Sequence, residues 1–152
     1  MSRPNVIVIV ADDLGYSDLS PYGSEIHTPN VEELVRDGGT LFTDFHTASA
    51  CSPSRAMLLS GTDHHLVGFG QMAEVMMFHR DIWNDQPGYE GYLNDRVATL
   101  PELLRDLGGY RTMISGKWHL GSTPDRFPSK RGFQKSFTLL PGGGNHFNYE
   151  SG

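Results

Sequence analysis

Three short stretches of this chain concentrate the residue types that do chemistry. Asp12-Asp13 places two adjacent carboxylates directly after an apolar run. Side-by-side negative groups call for a cation, and hard oxygen donors suit calcium or magnesium rather than zinc. An isolated Asp-Asp pair serves equally well as a turn cap beside a solvated charge, so its meaning depends on where the fold puts it. Cys51-Ser52-Pro53-Ser54-Arg55 sets the only cysteine four residues before an arginine. On a helix those two share one face, next to the free N–H groups of the first turn, and that geometry holds an anion. A lone cysteine is otherwise a small buried hydrophobe, and a lone arginine a solvated helix charge. A cysteine phosphatase would use a longer glycine-rich loop between the two, so the spacing argues against a simple thiolate nucleophile. In Gly116-Lys117-Trp118-His119-Leu120-Gly121, an extended backbone would send Lys117 and His119 to one side and Trp118 to the other. That supplies one fixed positive charge and one group that titrates near neutral pH. Taken singly, each is matched by a structural reading, a solvated lysine and a hydrogen-bonded histidine.

The elements that must position these groups are legible around them. Asn5 to Val10 is a continuous β-branched run without alternation, which predicts a central strand buried on both faces of a parallel sheet. Asp12 and Asp13 would then lie at the carboxyl end of a strand, where open α/β sheets place their sites. Thr28-Pro29 predicts a helix start, Val31, Leu34 and Val35 its apolar stripe, and Gly38-Gly39 its stop. A second strand is expected around Thr40 to Phe45. Ser52-Pro53 opens a helix with an apolar face at Met57, Leu58 and Leu59, ending near Gly61, so Cys51 sits at a helix entrance. From Gly61 to Val97 no period is sustained, and the aromatics there predict an ordered loop. Thr99-Leu-Pro-Glu102 resembles a capping box before a helix that ends at Gly108-Gly109, followed by a strand over Tyr110 to Ser115. The alternation predicts an α/β fold with a mostly parallel central sheet flanked by helices.

Composition narrows the class. The 152 residues carry 12 Lys+Arg against 18 Asp+Glu, a formal charge of -6, with no basic run. The electrostatic footprint of a nucleic-acid binder is therefore missing. An apolar fraction of 38%, with 18 glycines besides, is that of a globular chain rather than a disordered or fibrous one. One cysteine forbids an intrachain disulfide and a multi-cysteine metal cage. The apolar run from Val6 to Ala11 is too short for a signal-peptide core or a membrane span, so no membrane association is expected. The expected location is cytoplasmic, or periplasmic or secreted if a leader was removed.

Taken in order, Asn5-Val-Ile-Val-Ile-Val-Ala-Asp-Asp-Leu-Gly15, Cys51-Ser-Pro-Ser-Arg55 and Gly116-Lys-Trp-His-Leu-Gly121 resemble the successive N-terminal motifs of the sulfatases. Thr62-Asp-His-His65, Pro87-Gly-Tyr-Glu-Gly91 and Leu139-Leu-Pro141 extend the likeness to bacterial-type arylsulfatases over nearly the whole chain. The resemblance implies an alkaline-phosphatase-like fold, with residues 1–152 as the N-terminal part of the catalytic domain, inactive alone. It implies a sulfuric ester hydrolase acting on a small-molecule sulfate ester. Cys51 would be oxidised to formylglycine by a formylglycine-generating enzyme, and the hydrated aldehyde would be the nucleophile. By the same resemblance Asp12, Asp13 and modified Cys51 match ligands of a calcium ion. Arg55 would hold the hydrate, Lys117 would contact sulfate, and His119 would hydrogen-bond a hydrate hydroxyl. Two other readings remain open: a phosphonate monoester or phosphodiester hydrolase of the same superfamily, which shares Cys-x-Pro-x-Arg, and a non-catalytic anion-binding fragment. His64, His65 and His146 are read as loop histidines, and Tyr89 and Tyr92 as packing residues.

Overall fold

The computed structural model describes residues 3–145; His146 lies outside the described residues. The chain divides into two units, Met1–His46 and Thr47–Gly152.

In the first unit, 3-10 turns at Tyr16–Asp18 and Ser20–Tyr22 lead to helix α1, Pro29–Arg36. Proline opens α1 as expected, but Thr28 does not cap it, because its hydroxyl pairs with Ser20 Oγ at 2.6 Å. Neither strand expected here forms. Residues 5–10 and 40–45 carry no ladder, and Ile7 and Ile9 are 82% and 89% exposed. The physical reason is the absence of a partner: a β-branched run makes a strand only when a neighbour takes its N–H and C=O groups. Among the described residues of this unit none is buried. The segment around Phe42 is instead tied by the Tyr22 hydroxyl, which donates to the Phe42 carbonyl at 2.9 Å.

The second unit holds helices α2 (Cys51–Ser60), α3 (Ala73–Phe78), α4 (Arg80–Trp83) and α5 (Leu100–Asp106), then strands β1 (Met113–Lys117) and β2 (Lys135–Leu139). The strands pair in parallel, Met113 opposite Lys135 and Lys117 opposite Leu139, so the α/β class with a parallel sheet is borne out. Residues 118–134 connect them through 3-10 turns rather than a helix. The strand expected over Tyr110 to Ser115 is displaced toward the C-terminus, and β2 was not foreseen.

The core is Ala56, Val67, Phe69, Leu93, Trp118 and Leu120. The fully buried residues of α2 are Ser52, Pro53 and Ala56; of the expected Met57, Leu58 and Leu59, Leu59 packs against the core, whereas Leu58 is 43% exposed. The stretch between Gly61 and Val97 contains α3 and α4, too short to show a period. Its aromatics order it as expected, with Trp83 stacked on Tyr89 at 6.0 Å and Tyr92 beneath the Arg126 guanidinium at 3.9 Å. At α5 the capping box forms in full: the Thr99 hydroxyl accepts from Glu102 N at 3.4 Å and the Glu102 carboxylate accepts from Thr99 N at 2.6 Å.

Behind α5, Gly132 takes φ 92, and a Cβ there would collide with the Glu102 amide nitrogen and lie 2.7 Å from the Pro101 carbonyl carbon. Gly132→Ala should therefore cost about 1–3 kcal/mol through strain and overpacking. The check is a lowered denaturation midpoint at unchanged m-value.

Candidate functional site

Helix α2 begins on Cys51, preceded by Ala50 in an extended conformation. The thiol is half-buried and its Sγ lies 3.6 Å from Met72 Sδ. Ser54 braces the entrance, its hydroxyl donating to the Ala48 carbonyl at 2.8 Å. One turn on, Arg55 donates from Nε to the Trp118 carbonyl at 2.8 Å and from Nη2 to the Lys117 carbonyl. A planar fork bridges two successive carbonyls, which a single ammonium does far less well. Arg55 thus fastens the helix that begins with Cys51 to the carboxyl end of β1, the end from which Lys117 and His119 depart.

Past Lys117 the parallel pairing continues, with Trp118 N donating to Leu139 O at 2.8 Å and His119 N to Leu140 O at 3.0 Å. Trp118 is fully buried, as an inward side chain should be, and its indole N–H donates to the Arg126 carbonyl at 3.0 Å. The expected alternation stops there. His119 has φ 58, so the backbone turns left-handed and its ring is carried into the protein, 6% exposed. Asp13, Asp85 and His119 are the described non-glycine residues with positive φ, and two of the three are candidates read from the sequence. Such conformations gather where surrounding structure holds a side chain for a purpose.

The residue that sequence reasoning missed is Glu74. It lies in the first turn of α3, and its carboxylate oxygens sit 3.0 and 3.1 Å from His119 Nε2. Burial works to raise its pKa, but the His119 hydrogen bond, its own backbone N–H and the nearby positive charge of Lys117 bring the carboxyl below its ordinary value. Met72, which caps α3, is also the residue that meets Cys51. The start of α3 therefore touches both the helix-entrance cysteine and the histidine. The only sequence signal was a lone glutamate among apolar residues, Met72 to Phe78, in a stretch read as loop.

Asp12 and Asp13 lie in the first unit, both exposed, after the extended run. Asp13 adopts φ 56, a conformation that aspartate and asparagine tolerate better than other non-glycine residues.

The second unit has two other features. Asp63, His64 and His65 bring one ligand atom each within 4.8 Å of one another, but their bonds are those of a turn. His65 donates from its backbone N–H to Asp63 Oδ1 at 2.9 Å, and His64 Nδ1 meets the Phe69 carbonyl at 2.6 Å. The His65 backbone bond, then its ring, holds the Asp63 carboxyl below the usual range. A cavity of about 390 Å³ is lined by Gly109, Tyr110, Arg111, Gln134 and Lys135. It sits at the amino end of the strands, opposite the end where α/β folds place chemistry. No helix among the described residues is long and apolar enough to cross a membrane.

Comparison with known proteins decides the family. Residues 4–151 match the sulfatase family model. The chain belongs to the sulfatase family. An uncharacterised sulfatase of Schizosaccharomyces pombe is 69% identical over 99% of this chain and 27% of its own length. The arylsulfatase of Klebsiella aerogenes is 44% identical over 96% of this chain and 30% of its own, and human N-acetylgalactosamine-6-sulfatase 38% identical over 88% and 25%. Among solved structures, Ps i-CgsB superposes with a TM-score of 0.78 at 36% identity, covering 96% of this chain and 30% of that one. The fold is that of the alkaline-phosphatase-like sulfatases, and the chain spans 25% to 30% of the length of these relatives.

Proposed function

We propose that this sulfatase chain carries the nucleophile and part of the anion site of an arylsulfatase-type sulfuric ester hydrolase. The observation that supports it most is the Arg55 fork, which ties the helix that begins with Cys51 to the strand end that carries Lys117 and His119. Position 51 bears the nucleophile, and as formylglycine it would supply a hydrated aldehyde, a geminal diol whose second hydroxyl allows release of sulfate where a thiol would retain it. Lys117 binds and balances a sulfate oxygen, a fixed cation where negative charge accumulates. His119 holds or moves a proton at a hydroxyl. Arg55 orients the strand end that presents both.

A sulfatase of this type implies a calcium ion, with magnesium the lesser candidate. Asp12 and Asp13, two adjacent exposed carboxylates, offer the hard oxygen donors such an ion requires and fit the assignment. The ion would supply Lewis-acid polarisation of a sulfate oxygen. The other partners in the proposal are a small-molecule sulfate ester and the formylglycine-generating enzyme. No nucleic-acid or membrane partner is proposed, and the proposed location is cytoplasmic unless a leader directs the protein to the periplasm or outside.

The test is mass spectrometry of the peptide holding Cys51 after co-expression with a formylglycine-generating enzyme, paired with turnover of an aryl sulfate and an aryl phosphonate by the full-length protein. Conversion of the thiol to the aldehyde and preference for the sulfate are expected. An unmodified thiol throughout, or preference for the phosphonate, would reject this assignment.

A further inference from the structure

His119 is held on three sides. Its backbone has φ 58, Glu74 grips Nε2 with both carboxylate oxygens at 3.0 and 3.1 Å, and Gly142 lies so close to the ring that a Cβ there would stand 2.6 Å from Nε2. What remains is Nδ1, buried and without a hydrogen-bond partner among the described residues. A buried ring nitrogen with nothing to bond is costly unless it has a job.

The chemistry of the pair says which form the ring takes. An ionised carboxylate only accepts hydrogen bonds, so the proton shared with Glu74 belongs to Nε2, and in the neutral ring the lone pair is left on Nδ1. We propose that Glu74 is a positioning residue for the sulfatase reaction: it fixes His119 in the Nε2-protonated tautomer and thereby presents the buried Nδ1 lone pair to the reacting hydroxyl. When that hydroxyl gives up its proton, the O–H bond breaks, the oxygen keeps the electron pair, and an N–H bond forms at Nδ1. The carboxylate then stabilises the imidazolium without taking the proton, the logic by which an acidic partner serves a catalytic histidine. Gly142 is part of the same device, because any side chain there would displace the ring. Sequence position hides the pairing, since Glu74 and His119 belong to different elements of the second unit.

This inference rests on the sulfatase reading, and the experiment separates the two. In the full-length enzyme, Glu74→Gln keeps the side-chain volume and a hydrogen-bonding group but loses the charge. Relative to wild type, kcat for an aryl sulfate should fall roughly ten- to a hundredfold, the usual effect of removing a partner that orients a functional histidine. KM should stay within about twofold, because binding of the sulfate is not altered. A second readout is independent of turnover: in histidine-labelled protein the ¹⁵N signals of His119, assigned by their loss in His119→Gln, should report the Nε2-protonated form in wild type and a changed tautomer balance in Glu74→Gln. Unchanged kcat per folded molecule in Glu74→Gln, or a wild-type His119 protonated at Nδ1, would overturn the proposal. A wild type that hydrolyses no sulfate ester would instead overturn the sulfatase reading, and the ¹⁵N spectra would still judge the Glu74–His119 pair.

Discussion

Arg131→Met is expected to remove about 3–5 kcal/mol of stability, the largest loss foreseen for a single substitution here. Arg131 is 3% exposed. Its Nη1 donates to the carbonyls of Leu93 at 2.8 Å and Asn94 at 2.7 Å, its Nη2 to that of Val97 at 2.7 Å, and its Nε to Glu102 at 3.2 Å. Methionine matches the length and fills the space but leaves three carbonyls and a carboxylate without their donor, and each stranded group carries a desolvation penalty. Arg131→Lys should recover only part of the loss, since one ammonium does not reach all four acceptors. In thermal unfolding of the full-length protein the methionine variant should melt several degrees lower. A shift of only a degree or two would show that the carbonyls find other donors. The effect should also reach the site, because Leu93 N donates to Leu120 O at 3.1 Å, next to His119.

For activity the largest effect outside position 51 is expected at Arg55. Arg55→Lys preserves the charge but not the fork that spans the carbonyls of Lys117 and Trp118. If that fork sets where Lys117 and His119 stand, a displacement of about 1 Å at the strand end should lower kcat roughly a hundredfold. Stability should fall by only about 1–3 kcal/mol, the cost of hydrogen bonds to a charged group that is only half-buried. Steady-state kinetics alongside denaturant unfolding would check both. Wild-type kcat in Arg55→Lys would show that a point charge at this position suffices and that the clamp is structural.

These two arginines show where reading the sequence succeeds and where it stops. Arg55 was singled out because helical periodicity relates it to Cys51, a local rule. Arg131 was not, because its four partners are scattered over residues 93 to 102 and nothing near it in the chain announces them. Glu74 escaped for the same reason, compounded by a six-residue helix too short to register a period. Helices with caps and prolines, α1, α2 and α5, were legible because their signals are local; the Thr99 capping box is the clearest case. The run from Asn5 to Val10 misled because β-branched composition reports a preference for being covered, and among the described residues no strand pairs with it. The α/β class survived because β1 and β2 pair in parallel, although one of those strands was displaced and the other unforeseen. Left-handed His119 could not be read from its identity, since only the packing around it selects that conformation.

The uncovered run near the N-terminus has a consequence for how the protein is made. Residues 6 to 10 are translated about 100 residues before the strands that do pair, β1 and β2. At about 5–20 residues per second that interval lasts on the order of 5 to 20 seconds. Throughout it the five consecutive β-branched side chains from Val6 to Val10 have no strand of this chain to pair with, the kind of segment that sticks to its like or is shielded by a holdase chaperone. Expression yield should therefore respond more to chaperone supply and translation rate than to any substitution in the buried core, and a single lysine at Ile7 or Ile9 should raise the soluble fraction of nascent chains even where it harms the finished enzyme.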